Sequence, residues 1–267
     1  MRSIRSSLRL AAFLGLRPHY YPDLLRRVRY QVARRMLPLA IGRSSKAATM
    51  WAQERAVDIE GALRQLGAPD RSLEQEFAAD LAAADSRRAE CPFAMGGGAN
   101  VDLIFALCEL LSARTVVETG VAYGFSSLAI LLSLEKRDGT LYSVDMPYMR
   151  RGGSRYVGCV VPERLRRRWH LIRYPDFIGL KKVFRRVSTI DLCHYDSDKS
   201  YEGRAWAYVE IWSRIRPGGI FMSDDIGDNT AFRDFAIECG QPPIVVRARG
   251  SGGSGERFIG ILVKPSA

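Results

Sequence analysis

From Arg114 onward the chain alternates short β-branched runs with longer apolar stretches of helical character, and this alternation limits the available folds more than any other feature. Thr115-Val116-Val117-Glu118 is stopped by Gly120, and Phe125 to Leu134 follows as a helix. The next strand is Thr140–Asp145, then a weaker one at His170–Arg173, then Ser188–Tyr195. A helix over about Glu202–Ile215 leads through Pro217-Gly218-Gly219 into Ile220–Ser223, and a further helix spans Thr230–Glu238. Ile244–Val246 and Phe258–Val263 flank the flexible connection Gly250-Ser251-Gly252-Gly253-Ser254-Gly255. Parallel strands need long crossovers, and helices supply them. The expectation is therefore an α/β fold: a seven-stranded, mostly parallel sheet covered on both faces, with an antiparallel edge hairpin formed by the last two strands.

The residues before this alternation differ in kind. Residues 1–50 hold eleven Lys/Arg and a single acid, Asp23, which leaves 29 basic and 28 acidic residues in the rest of the chain. The formal charge of +11 thus belongs to the N-terminal segment, and the body is nearly neutral. Helices are expected over residues 20–38, 46–66, 71–85 and 100–112. In the first, Leu25, Val28, Val32 and Met36 fall on one stripe and Arg26, Arg27 and Arg34 lie largely opposite. Residues 1–90 are thus expected to form a basic helical extension and residues 91–267 the main domain. The charge suits an anionic membrane surface, with nucleic acid less favoured because the body is neutral; the helices also suit contact with a second copy of the chain. A solvated basic helix docked on the body accounts for the same pattern.

The run Leu10–Leu16 is too short for a bilayer span, and Arg17-Pro18-His19 stands where a signal cleavage site would need small residues. The five cysteines are odd in number, widely spaced and without a CxxC pair, so free thiols in a reducing cytoplasm are expected, with peripheral membrane contact left open. With only three histidines, a His/Cys zinc site is disfavoured.

In open α/β sheets, ligands bind beyond the carboxyl ends of the strands, and four polar clusters fall there. Glu118-Thr119-Gly120-Val121-Ala122-Tyr123-Gly124 is ExGxxxG rather than the GxGxxG of nicotinamide cofactors; its glycines let backbone approach a ligand, although a structural turn explains them equally. Asp145, 27 positions after Glu118, is placed to accept hydrogen bonds from the ribose of an adenosine-containing ligand. Asp196-Ser197-Asp198-Lys199-Ser200-Tyr201 and Asp224-Asp225 follow two strands expected to be neighbours. Carboxylates gathered in one place repel unless a cation neutralises them, and Mg²⁺ with its hard oxygen ligands does so while lowering the pKa of a bound hydroxyl. Alternatively, Asp198 or Ser200 caps the following helix and Asp224-Asp225 are surface acids. His194 is expected on the strand face opposite Tyr195, in the core. Arg150, Arg151 and Arg155 in the loop 148–161 have the charge to meet an anionic group.

Val116–Gly120 and Leu141–Asp145 resemble the first two motifs of class I S-adenosylmethionine-dependent methyltransferases, which have a Rossmann-like fold, and Arg216-Pro217-Gly218-Gly219 resembles a later turn of that superfamily. The resemblance covers roughly residues 95–265. It implies S-adenosylmethionine as cofactor, with Glu118, Gly120 and Ser126 around the methionine part and Asp145 on the ribose; Tyr123 and Gly124 of the same turn complete the candidate cofactor-binding set. The acid clusters resemble those of metal-dependent O-methyltransferases, including the caffeoyl-coenzyme A type. That implies Asp196, Asp224 and Asp225 as ligands of Mg²⁺ or another divalent cation, and Lys199 as base. The Asp224-Asp225 pair, in place of Asp-Asn, is more similar to bacterial sugar and antibiotic O-methyltransferases, where Asp198 would be the base. Asp198–Gly203 resembles their Asp-His-Ser-Tyr-Glu-Gly run with Lys for His. The acceptor implied is a hydroxyl of a sugar, glycan or secondary metabolite.

Overall fold

The computed structural model describes residues 15–36, 44–69, 71–96, 99–147, 153–249 and 255–266. The run Leu10–Leu14, Gly97, Gly98, Arg150, Arg151 and most of the Gly/Ser connection, each given a reading above, lie outside the described residues, as do the side chains of Arg34 and Met36.

Among the described residues the strands form one sheet of eight, ordered β1-β7-β8-β6-β5-β2-β3-β4. The strands are β1 (Ala56–Val57), β2 (Thr115–Thr119), β3 (Thr140–Val144), β4 (Trp169–Ile172), β5 (Ile190–Tyr195), β6 (Ile215–Ser223), β7 (Ile244–Arg249) and β8 (Glu256–Val263). All pairings are parallel except those of β8 with β6 and with β7. The last two strands form the expected antiparallel hairpin, with β8 between β7 and β6. One detail differs from the expectation. The eighth strand comes from the N-terminal extension: Ala56 and Val57 pair with Val245 and Val246 and cover the open side of β7.

The helices are α1 (Tyr21–Met36), α2 (Ser45–Gln53), α3 (Ile59–Leu66), α4 (Leu73–Ala89), α5 (Val101–Leu110), α6 (Phe125–Glu135), α7 (Glu163–Arg166), α8 (Asp176–Val183), α9 (Tyr201–Trp212) and α10 (Ala231–Cys239). The single helix expected over 46–66 is thus broken by β1. The break is local chemistry. Asp58 accepts the Gly61 N–H at 2.7 Å and starts α3 afresh, and Gly67, with φ +64°, ends it. Ser44, Ser72, Asn100 and Ser200 cap α2, α4, α5 and α9 in the same way.

Two apolar layers enclose the sheet, and the period of two along each strand sorts side chains between them. Val116, Leu192, Ile220 and Met222 join Leu103, Leu107, Leu128 and Leu132 on one face. Val117, Cys193 and Phe221 join Tyr208, Ile211 and Phe232 on the other. Helix α6 is buried nearly all round, which its uninterrupted apolar sequence requires. Ala52 of α2 and Ala62 of α3 lie fully within these layers, so much of the extension shares the core of the main domain. Among the described residues no helix is long and apolar enough to cross a membrane.

Candidate active site

The site follows from strand register. Thr119 pairs with Val144 and Tyr195, and Tyr195 pairs with Ser223, so β2, β3, β5 and β6 end in one row. Gly120, Asp145, Asp196 and Asp224 therefore leave the sheet side by side. Their amides extend the row: Gly120 N donates to Val144 O at 2.8 Å, Asp196 N to Thr119 O at 2.9 Å and Asp224 N to Tyr195 O at 2.9 Å. Chain order reverses between β2 and β5, where open α/β sheets part to form a ligand crevice.

On the cofactor side, Asp145 is 8% exposed. Its Oδ1 accepts the Val121 N–H at 3.2 Å, while Oδ2 has no hydrogen-bond partner and lies 3.4 Å from the Arg173 guanidinium. Burial raises its pKa to about 6, against the pull of Arg173 and the Val121 N–H. A buried carboxylate oxygen without a donor, at the mouth of the crevice, is suited to a ligand hydroxyl. Gly120 has φ +81°, and a Cβ there would lie 2.1 Å from the Asp196 carbonyl oxygen. Its immediate service is thus to let the loops after β2 and β5 touch. Gly124 does the same toward Gly158, whose Cα would stand 2.9 Å from an added Cβ.

Two other candidates are hydrogen-bonded within the protein, and a third is buried. Glu118 is fully buried beneath the loop and accepts from Ser127 Oγ at 2.6 Å and Ser143 Oγ at 2.7 Å. The Tyr123 hydroxyl donates to Phe93 O at 2.9 Å and accepts from Met95 N at 3.2 Å, which ties the loop to the segment before α5. Ser126 is buried in the first turn of α6. Arg155 lies against the Tyr156 ring.

On the acid side, Asp196, Asp224 and Asp225 converge, and the chain supplies its own cations. Lys199 Nζ bonds Asp196 and stands 2.8 Å from Asp225 Oδ2. Arg257, from β8, donates to Asp225 at 2.7 Å and lies 3.7 Å from Asp224. His194 is fully buried between Asp224 at 3.6 Å and Glu118 at 3.8 Å, on the strand face opposite Tyr195. Burial works against its charge, but the two carboxylates outweigh burial and push its pKa up to about 10. Burial likewise opposes the Lys199 charge, and Asp196 and Asp225 raise its pKa nonetheless. Burial and the Asp224 charge raise that of Asp196.

Asp198 stands apart. Its carboxylate accepts from the Ser200 N–H at 3.0 Å and hydroxyl at 2.8 Å, and it faces Arg27 at 3.4 Å and Arg26 at 3.6 Å from α1. Burial would raise its pKa, yet these partners hold it below the usual carboxylate value. Gly203 makes room, since a Cβ there would sit 2.4 Å from the Asp198 carboxyl. Below, Asp176 accepts from the Tyr195 hydroxyl at 3.1 Å and from Ser197, bracing the loop after β5.

Asp196, Asp224 and Asp225 are hard oxygen donors of the type a divalent cation takes. They lie around Lys199 and Arg257, and Asp224 Oδ1 is buried without a hydrogen-bond partner. With Lys199 holding Asp196 and Asp225, however, no three His, Cys, Asp or Glu among the described residues are arranged to hold a metal ion. The charge argument that called for a metal is met, in this arrangement, by Lys199, Arg257 and His194.

Sequence reasoning missed Arg257, and also Arg204. The latter is fully buried and donates to the carbonyls of Asp225 at 2.9 Å and Asp224 at 3.2 Å, fixing a loop in which Asp225 adopts φ +53°. It missed the Glu118–His194 pair as well, though both are polar residues in apolar strands and register sets them opposite each other.

Residues 117–226 match a family described as a methyltransferase domain. The sequence matches no curated protein. The fold is similar to that of the O-methyltransferase TomG from Streptomyces achromogenes, involved in tomaymycin synthesis and solved with S-adenosylmethionine: TM-score 0.55, 19% identity, over 70% of this chain and 89% of that one. It is also similar to an O-methyltransferase from Bacillus cereus solved with S-adenosylhomocysteine: TM-score 0.55, 15% identity, over 83% of this chain and 100% of that one. With the parallel sheet, the crevice at its reversal point and the match over residues 117–226, the chain has a Rossmann-like fold and contains a stretch similar to methyltransferase domains.

Proposed function

We propose that this chain is an S-adenosylmethionine-dependent methyltransferase that methylates a hydroxyl group of a sugar, glycan or secondary metabolite, with a divalent cation such as Mg²⁺ held by Asp196, Asp224 and Asp225. The observation that carries the reading is the gathering of Asp196 and Asp225 on Lys199, and of Asp224 and Asp225 on Arg257, at the ends of neighbouring strands β5 and β6. The O-methyltransferases from S. achromogenes and B. cereus named above, which share the fold, support the choice of oxygen as acceptor.

In the reaction the acceptor oxygen attacks the sulfonium methyl, the carbon–sulfur bond breaks, and an ether and S-adenosylhomocysteine result. The hydroxyl proton must go to a base. Asp145 holds the ribose, and the Gly120 turn positions the methionine part. When bound, a divalent cation supplies Lewis-acid activation of the hydroxyl. Lys199 becomes a proton acceptor only when Asp196 and Asp225 no longer hold it as an ammonium. Asp198, clamped by Arg26 and Arg27, orients α1 over the site and is a weak base. The five free thiols accord with a reducing cytoplasm.

Lys199 bridging Asp196 and Asp225 favours a second reading, in which its ammonium and Arg257 alone stabilise the alkoxide. Chelation separates the two. Under the first, EDTA abolishes turnover while calorimetry still records cofactor binding, and Mg²⁺ restores the rate. Turnover unchanged after complete metal removal leaves only the second.

A further inference from the structure

Helix α1 is oriented opposite to what a simple amphipathic helix would do. Its polar face is turned inward: Asp23 is fully buried, Arg26 donates to it at 3.0 Å, and Arg27 donates to it at 2.7 Å. Both arginines also face Asp198, and Arg26 packs over the rings of Phe177 and Trp206. The apolar face is turned outward. Tyr21, Leu25, Val28 and Val32, spaced four, three and four residues apart, form one stripe and are 44%, 63%, 50% and 47% exposed. Leu16, before the helix, is 81% exposed. Isolated exposed apolar residues are ordinary, but a continuous helical stripe marks a contact surface.

The charge around the stripe selects the occupant. Residues 1–50 carry eleven basic residues against Asp23 alone, and Asp23 is sealed inside by Arg26 and Arg27. Arg29 is exposed beside the stripe. An apolar helix face with basic flanks and a tyrosine at its edge has the chemistry of an interfacial helix, which sinks its apolar side into the headgroup boundary while cations hold anionic lipids. A second copy of the chain would bring the same strongly basic segment against itself. We propose that α1 docks the enzyme on an anionic lipid bilayer through Leu16, Tyr21, Leu25, Val28 and Val32. Its inward face contacts Asp198, so docking holds the loop after β5 beneath the membrane-bound helix.

The test is co-sedimentation of the full chain with vesicles of three parts phosphatidylcholine to one part phosphatidylserine, and with phosphatidylcholine alone. Binding to the anionic vesicles, weakened by salt and at least about tenfold stronger than to neutral ones, is expected. The triple variant Leu25→Ser, Val28→Ser, Val32→Ser keeps every charge and is expected to lose binding at least about tenfold, with thermal unfolding and cofactor affinity unchanged because these side chains are exposed. Failure to bind anionic vesicles overturns the proposal, and so does undiminished binding by the triple-serine variant. Sedimentation showing a wild-type dimer that the variant breaks, without vesicle binding, assigns the stripe to a second copy instead.

Discussion

At the scale of single residues, burial and charge set what each acid can do. Asp145 is expected to serve as a ribose acceptor only when ionised. Because burial raises its pKa to about 6, cofactor affinity should be full above that pH and fall as pH drops through it. Calorimetry between pH 5 and 8 would show this, and a flat profile would remove Asp145 from the ribose site. Asp145→Asn should weaken cofactor binding about ten- to a hundredfold, the cost of losing a hydrogen bond to a charged acceptor. Glu109, far from the site, shows the opposite sign. It is buried, which opposes its charge, but Ser133, Arg137 and Lys136 surround it, and its pKa is lowered to about 2. Its contribution to stability is present above the ordinary carboxylate range and is lost as pH falls toward 2. Glu109→Gln leaves Arg137 without its charged partner and should cost about 2–4 kcal/mol, read from a shifted unfolding midpoint at pH 7. An unchanged midpoint would show that the ion pairs contribute little.

At the scale of elements, much was legible. The β-branched runs, the glycine turn and the acids at strand ends foretold β2, β3, β5 and β6 and put Asp196 and Asp224 at the ends of neighbouring strands, because strand period and parallel topology are local consequences of sequence. The sign of the local charge was not legible. Arg257 reaches Asp225 only because β8 returns antiparallel to β6, and no spacing in the sequence links residues 225 and 257. The orientation of α1 was hidden for a related reason: the pull of Asp198 on Arg26 and Arg27 outweighs the burial of a four-residue apolar stripe. The glycine turn also gained a second constraint. Gly120→Ala would place a methyl 2.1 Å from the Asp196 carbonyl at a φ of +81°. Displacing the Asp196 loop should reduce both stability, by about 2–4 kcal/mol, and cofactor binding. Retained cofactor affinity in a folded Gly120→Ala variant would show that the two loops move independently.

For the molecule as a whole, the N-terminal extension and the sheet are one structure. Ala56 and Val57 occupy what would be the open edge of β7, and Ala52 and Ala62 sit in the two apolar layers. A chain lacking residues 1–58 should therefore unfold at lower temperature and self-associate through β7, since exposed strand edges recruit one another. Light scattering on that truncation would detect the association, and a monodisperse, equally stable product would show β1 to be dispensable. Helix α4 falls where a helix was expected over 71–85, but α3 was read as part of one helix over 46–66, because a two-residue strand has too little sequence to announce itself.

The insertion of β8 between β7 and β6 also imposes an order on synthesis. Asp196, Asp224 and Asp225 leave the ribosome before Arg257 does, and until β8 arrives β6 and β7 face an empty slot with unpaired edges on both sides. The nascent chain thus carries an incompletely balanced acid cluster and an unfilled sheet at the same time, and one strand resolves both. Such late, long-range closure slows folding and lengthens the exposure of sticky edges. The arrival of β8 is then the step at which catalytic competence and protection from aggregation are gained together.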